Sequence, residues 1–184
     1  MKYKIVLIVS FILFGMLSMG SAEDYFPYYY FSRYSSILKA LKEPSIYIQK
    51  SDVKKEIYRF TWLRSFHNPI SIRVEIHDQN NAIIYTKETD RKGGPDPGKI
   101  KIDAIKRIST NSVIQLKKKF TYFKFWSLSV TEDSFGLDGA QWIVEGLSRG
   151  NYHIVERWSP KKGSIKEIGL HFLEISGLDV KEIY

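Results

Sequence analysis

Four side chains able to move protons, hold an anion or ligate a metal lie within one short stretch: Asp138, Glu145, His153 and Arg157, in DGAQWIVEGLSRGNYHIVERWSP from 138 to 160. Trp142, Tyr152 and Trp158 stand among them. A carboxylate beside an imidazole forms an acid–base pair, and a nearby arginine stabilises developing negative charge. On that chemistry Asp138 or Glu145 is the base of a small hydrolase-like enzyme, with Arg157 or His153 facing the negative charge. The same residues have simpler uses: Asp138 with Arg157 as a salt bridge closing the segment's open end, and Asp138-Gly139 as an entry turn.

What these residues can do depends on the element that carries them. The segment reads as a β-hairpin with Ser148-Arg149-Gly150-Asn151 as its turn. Pairing Leu147 with Gly150 sets Trp142 opposite Val155, Val144 opposite His153 and Ala140 opposite Arg157, with Asp138 further toward the open end. Glu145, Tyr152, Ile143, Ile154, Gln141, Glu156 and Trp158 then share the other face. Neither face is purely apolar, so the polar groups must bond one another or line an accessible cleft. Glu145 and His153 fall on opposite faces, which argues against a joined acid–base pair.

No Ser-His-Asp arrangement or nucleophile elbow accompanies these residues. His67, His77, His153 and His171 are far apart, with no H-x-x-x-H pair to place two ligands on one face, so neither a metal nor another cofactor is expected. His171, between Glu167 and Glu174, reads as an ion-pair partner on the polar side of a helix. The favoured reading is a non-catalytic binding or interaction module whose candidate residues are Asp138, Trp142, Glu145, Tyr152, His153, Arg157 and Trp158. The alternative is the hydrolase-like enzyme with its site on the hairpin.

The pattern D-G-x-x-W-x-x-E from Asp138 to Glu145, followed by Y-H-x-V-x-R-W-S-P from Tyr152 to Pro160, resembles a family of uncharacterised bacterial exported proteins. The likeness covers the hairpin and the helix after it, about a quarter of the chain. It implies a bacterial, exported protein and carries no activity to transfer.

The rest of the chain must position this hairpin. After an aromatic-rich run from Tyr25 to Phe31, Tyr30, Tyr34, Ile37, Leu38 and Leu41 predict a short amphipathic helix ending before Pro44 that closes one side of the core, the alternative being an aromatic surface for a ligand or membrane. Ile46 and Ile48 alternate as a strand, as do Tyr58, Phe60 and Trp62, and then Ile70, Ile72, Val74 and Ile76. Ser71, Arg73, Glu75 and His77 occupy the other face of that last strand. Asp78-Gln79-Asn80-Asn81 is a turn before Ile83-Ile84-Tyr85, and Asp90 to Gly98 is a loop leading to a strand with Ile100 and Ile102.

Ser109 or Thr110 caps a helix carrying Val113, Leu116, Phe120 and Phe123. Helix geometry spreads Lys117, Lys118 and Lys119 around its cylinder rather than into one patch. Ser164 and Glu167 form a capping box for a last helix with the stripe Ile165, Ile168, Phe172 and Ile175, stopped by Gly177. The fold class is therefore α+β: a mainly antiparallel sheet, meander plus C-terminal hairpin, covered by two or three helices.

The first 22 residues have the parts of a secretory signal: Lys2 and Lys4, an apolar run from Ile5 to about Leu17, and Gly20-Ser21-Ala22 as the exit. Cleavage after Ala22 leaves residues 23–184 as a single domain with no membrane span. It removes two lysines and no acid, lowering the formal net charge from +8 to +6. The absence of cysteine excludes disulfides, thiolate nucleophiles and a lipidated N-terminal cysteine. The expected setting is the periplasm, or the medium outside, and the expected partner is an anionic envelope component or another protein, with no nucleic acid.

Overall fold

The computed structural model describes residues 25–78, 81–91, 96–132 and 136–184. The expected signal peptide, the centre of the turn after Asp78, Gly93-Gly94-Pro95 and the Tyr30 side chain lie outside the described residues. Six strands form one antiparallel sheet: β1 (Glu56–Arg64), β2 (Ile70–Asp78), β3 (Asn81–Thr89), β4 (Ile100–Ile108), β5 (Ala140–Ser148) and β6 (Asn151–Trp158). Their spatial order is β4-β3-β2-β1-β5-β6, so the four-stranded meander and the C-terminal hairpin join at β1 and β5. This is the α+β architecture that the strand and helix periodicities predict.

Two helices, α2 (Thr110–Tyr122) and α3 (Ser164–Ser176), cover one face of the sheet. That face carries Tyr58, Phe60 and Trp62 of β1, Ile70, Ile72 and Val74 of β2, and Trp142 and Val144 of β5, which meet Leu116, Phe120, Ile168 and Phe172. Trp142 fits only because Gly169 has no side chain: a Cβ there would lie 2.5 Å from the indole ring. Ser109 caps α2 by accepting from the Ser112 N–H, and Gly177 ends α3 at φ +71. The capping box of α3 does not form. Gly163 takes the N-cap position at φ +98, which places Ser164 inside the first turn without a side-chain cap.

Although Lys101, Asp103, Ile105 and Arg107 of β4 stay exposed, the polar face of β1 and of the first half of β2 is buried, contrary to the pattern of a sheet half open to water. Residues 25–51 fold across it: a 3-10 turn at Tyr29–Tyr34, α1 (Ser35–Ala40) and a second 3-10 turn at Tyr47–Ser51. Phe26, Phe31, Tyr34 and Leu38 pack on Ile143 and Ile154, and Ile46 packs on Ile57 and Leu147. The strand expected at Ile46 and Ile48 is absent because Ser45 Oγ accepts from the Ile48 N–H, a local bond that competes with a ladder and bends the chain. Over β1, β5 and β6 the sheet is thus the middle of three layers.

The hairpin register differs from the sequence expectation by two residues. Trp142 faces Arg157, Val144 faces Val155, Gly146 faces His153 and Ser148 faces Asn151. The two loop residues are Arg149 and Gly150, at φ +52 and +77, because the favoured two-residue hairpin turn needs positive φ at both positions and glycine supplies one without strain. A shift of two preserves which side chains share a face.

Candidate functional site

The hairpin's chemically capable side chains divide between its two faces. Glu145 is fully buried on the face beneath the N-terminal segment. It accepts from Arg59 Nε at 2.7 Å and from the Tyr152 hydroxyl at 2.9 Å. Burial pushes the Glu145 carboxyl up, and Arg59 and Tyr152 pull it back. Burial also works against the Arg59 charge, but Glu145 and Glu43 outweigh it and hold the guanidinium above its usual value. The ring of Tyr152 meets Tyr47 edge to face, with centroids 5.4 Å apart.

Arg59 stands directly opposite Arg73 in the ladder between β1 and β2, an arrangement of like charges that needs compensation. Glu43 supplies it from above the sheet. Its carboxylate lies 2.7 Å from Arg73 Nε, 3.6 Å from Arg59 Nη1 and 3.2 Å from Lys87 Nζ. Arg73 also pairs with Glu75, and Lys87 donates to the Lys42 carbonyl at 2.8 Å. Sequence reading overlooked this network. Its trace was visible in Tyr58-Arg59-Phe60-Thr61-Trp62, where an arginine sits in a strand whose other face is aromatic, and in Glu43 immediately before Pro44.

On the opposite face, His153 and Arg157 tie down the segment that runs beside β6. His153 Nε2 lies 3.0 Å from the Leu128 carbonyl, which can only accept, so the imidazole donates there. Arg157 donates to the Ser129 carbonyl from both Nη1 and Nη2, at 3.0 and 3.1 Å, and its Nε is 2.9 Å from Glu132. Glu132, not Asp138, is therefore the carboxylate that meets Arg157; Asp138 is exposed. The Glu156 N–H donates to the Val130 carbonyl at 2.7 Å, so the strand's outer edge is covered by backbone.

Trp142 is buried, donates from Nε1 to the Tyr184 carbonyl at 2.9 Å and carries Lys166 Nζ 4.4 Å above its ring. Trp158 is half-buried over Gly139. The structure thus brings Glu145 to Tyr152 and His153 to the Arg157 segment, and it separates Glu145 from His153 by the thickness of the sheet. His171, expected on a polar face, is instead buried, with Nδ1 3.0 Å from Glu174. Among the described residues no group of three His, Asp or Glu side chains is placed to hold a metal ion.

An open concavity lies elsewhere, between α2 and the ends of β1 and β2. It measures ≈ 1010 Å³ and is walled by Ile76, Val113, Ile114 and Tyr122, with Lys54 and Lys118 on its lining. A second concavity of ≈ 470 Å³ adjoins it through Lys54, Glu56, Lys117 and Thr121, adding Lys55 and Arg149. Of the three consecutive lysines, Lys117 and Lys118 face this groove while Lys119 approaches Glu167 at 3.9 Å, so two of them do share a surface. Strand β2 and the Lys54-Lys55 turn complete the patch, a juxtaposition across distant sequence that helix spacing alone does not reveal. No protein-family model matches the chain, and no curated protein matches it.

Proposed function

We propose that the protein is an exported bacterial binding module, non-catalytic, whose partner is an anionic component of the cell envelope. The Lys2, Lys4 and apolar N-terminal pattern supports export. The resemblance of the hairpin motif to a family of bacterial exported proteins points the same way.

One observation carries the binding reading. Glu145, His153 and Arg157 are occupied by Arg59, Tyr152, backbone carbonyls and Glu132, whereas the lysine-bearing groove beside α2 is open. An acid–base enzyme needs its groups to converge on a cavity that a substrate can enter. The hairpin groups converge on their own chain. No helix among the described residues is long and apolar enough to cross a membrane, so contact with lipid would be made from the surface.

Co-sedimentation with phosphatidylglycerol vesicles and with phosphatidylcholine vesicles tests this reading. The expected result is binding to the anionic vesicles that weakens as salt rises, with little binding to the neutral ones. Equal binding to both, or to neither, overturns it.

A further inference from the structure

Resting on that reading, we propose that the groove between α2 and the end of β2 is the binding site for one acyl chain of an anionic amphiphile, with the headgroup at Lys54 and Lys118. The helix presents Val113, Ile114, Lys117, Lys118, Thr121 and Tyr122 along one side, at the three- and four-residue spacing that makes neighbours on a helix surface. Ile114 and Tyr122 are 44% and 79% exposed, and Ile76 completes the apolar wall from β2. Exposed apolar groups that line a concavity gain from being covered by an apolar ligand.

Charge selects which ligand. Lys117 is paired with Glu56, its Nζ lying 2.9 and 3.0 Å from the two carboxylate oxygens, and the Tyr58 hydroxyl donates to the same group at 2.7 Å. Glu56 is thereby neutralised. Asp78 is the other acid on the lining, so Lys54, Lys117 and Lys118 outnumber the two carboxylates there. Lys54 and Lys118 have no carboxylate partner among the described residues, and both are exposed. A simple anion would leave the apolar wall bare, and a neutral lipid would leave these ammonium groups unmatched. A single molecule with an apolar chain and an anionic head satisfies both. The volume of ≈ 1010 Å³ stands at the upper end of the about 300–1,000 Å³ typical of small-ligand sites, which leaves room for a chain.

The test is calorimetric titration of the purified protein with dodecyl phosphate below its micelle-forming concentration, beside inorganic phosphate and dodecyl maltoside. Dodecyl phosphate should bind at one per chain and at least about tenfold more tightly than either control, because each control lacks one of the two recognised features. Ile114→Asp and Lys118→Glu should each weaken it by about tenfold or more with an unchanged circular-dichroism spectrum, while Lys161→Glu, an exposed change outside the groove, should not. Dodecyl phosphate binding no better than the controls, or binding indifferent to both groove variants, overturns the assignment. If phosphatidylglycerol vesicles still bind both groove variants as they bind the unmodified protein, the groove assignment falls and the broader envelope-binding reading stands. If the unmodified protein binds no anionic vesicle, that reading falls on its own account.

Discussion

Arg59 Nη2 lies 2.6 Å from Glu145 Oε2, and neither side chain has any surface exposed to solvent. Such a pair is held in place by its partners, and removing Glu145 leaves the buried Arg59 charge with only Glu43, which Arg73 and Lys87 already share. Glu145→Gln should therefore cost about 3–5 kcal/mol in urea melts. Replacing both members, Arg59→Met with Glu145→Leu, should cost less than the single change, since no buried charge is then left without its mate at this position. A double variant less stable than Glu145→Gln would contradict this account of the network.

Arg157 and Asp138 make a contrasting pair. The Arg157 guanidinium is buried and holds Ser129 and Glu132, whereas Asp138 is exposed. Arg157→Ala should cost about 2–3 kcal/mol, because hydrogen bonds to a charged group are lost and the cover over the edge of β6 is loosened. Asp138→Ala should stay within about 0.5 kcal/mol. Amide exchange along β6 offers an independent check, rising in the first variant and not in the second.

His153 gives a pH signature. Burial lowers its pKa from the ordinary 6.5; the bond to the Leu128 carbonyl opposes the shift and the Arg157 charge adds to it. As pH falls below about 6.5 the unfolded chain takes up the proton before the folded one, so stability declines through that window and levels off below the folded value. Urea midpoints measured from pH 8 to pH 5 should show wild type losing more stability than His153→Gln, whose amide can still donate to Leu128. Parallel profiles would remove His153 as the source.

Processing supplies a further check. Mass spectrometry of protein made in a bacterial host should find a species beginning at Glu23, after the Gly20-Ser21-Ala22 exit. A full-length, membrane-embedded product would contradict export by cleavage.

Strands β1 and β2 and helix α3 were legible because their apolar residues repeat at two or at three to four positions. Ile70, Ile72 and Val74 pack as one face, and Ile165, Ile168 and Phe172 as one stripe. The facing of Glu145 against His153 was legible too, since parity survives a two-residue slip. The slip itself came from the turn: pairing Leu147 with Gly150 leaves Ser148 and Arg149 as the loop, whereas the structure uses Arg149 and Gly150 and so puts glycine at one of the two positive-φ positions. Strand alternation places Arg73 and Glu75 on the face away from Ile70, Ile72 and Val74 but reports polarity and not burial, and nothing near Arg73 in sequence announces that Glu43 will meet it. The groove was least legible of all. Lys54, Ile76 and Lys118 belong to three different elements, and only the packing of α2 beside the ends of β1 and β2 brings them onto one surface.

The most direct measurement is hydrogen–deuterium exchange with and without phosphatidylglycerol vesicles. Protection should appear at residues 53–56 and along Thr110–Tyr122, the segments that wall the groove, while the hairpin from 138 to 160 exchanges as before. Protection centred on Asp138 and Trp158, with the groove unchanged, would contradict the account and return the site to the hairpin.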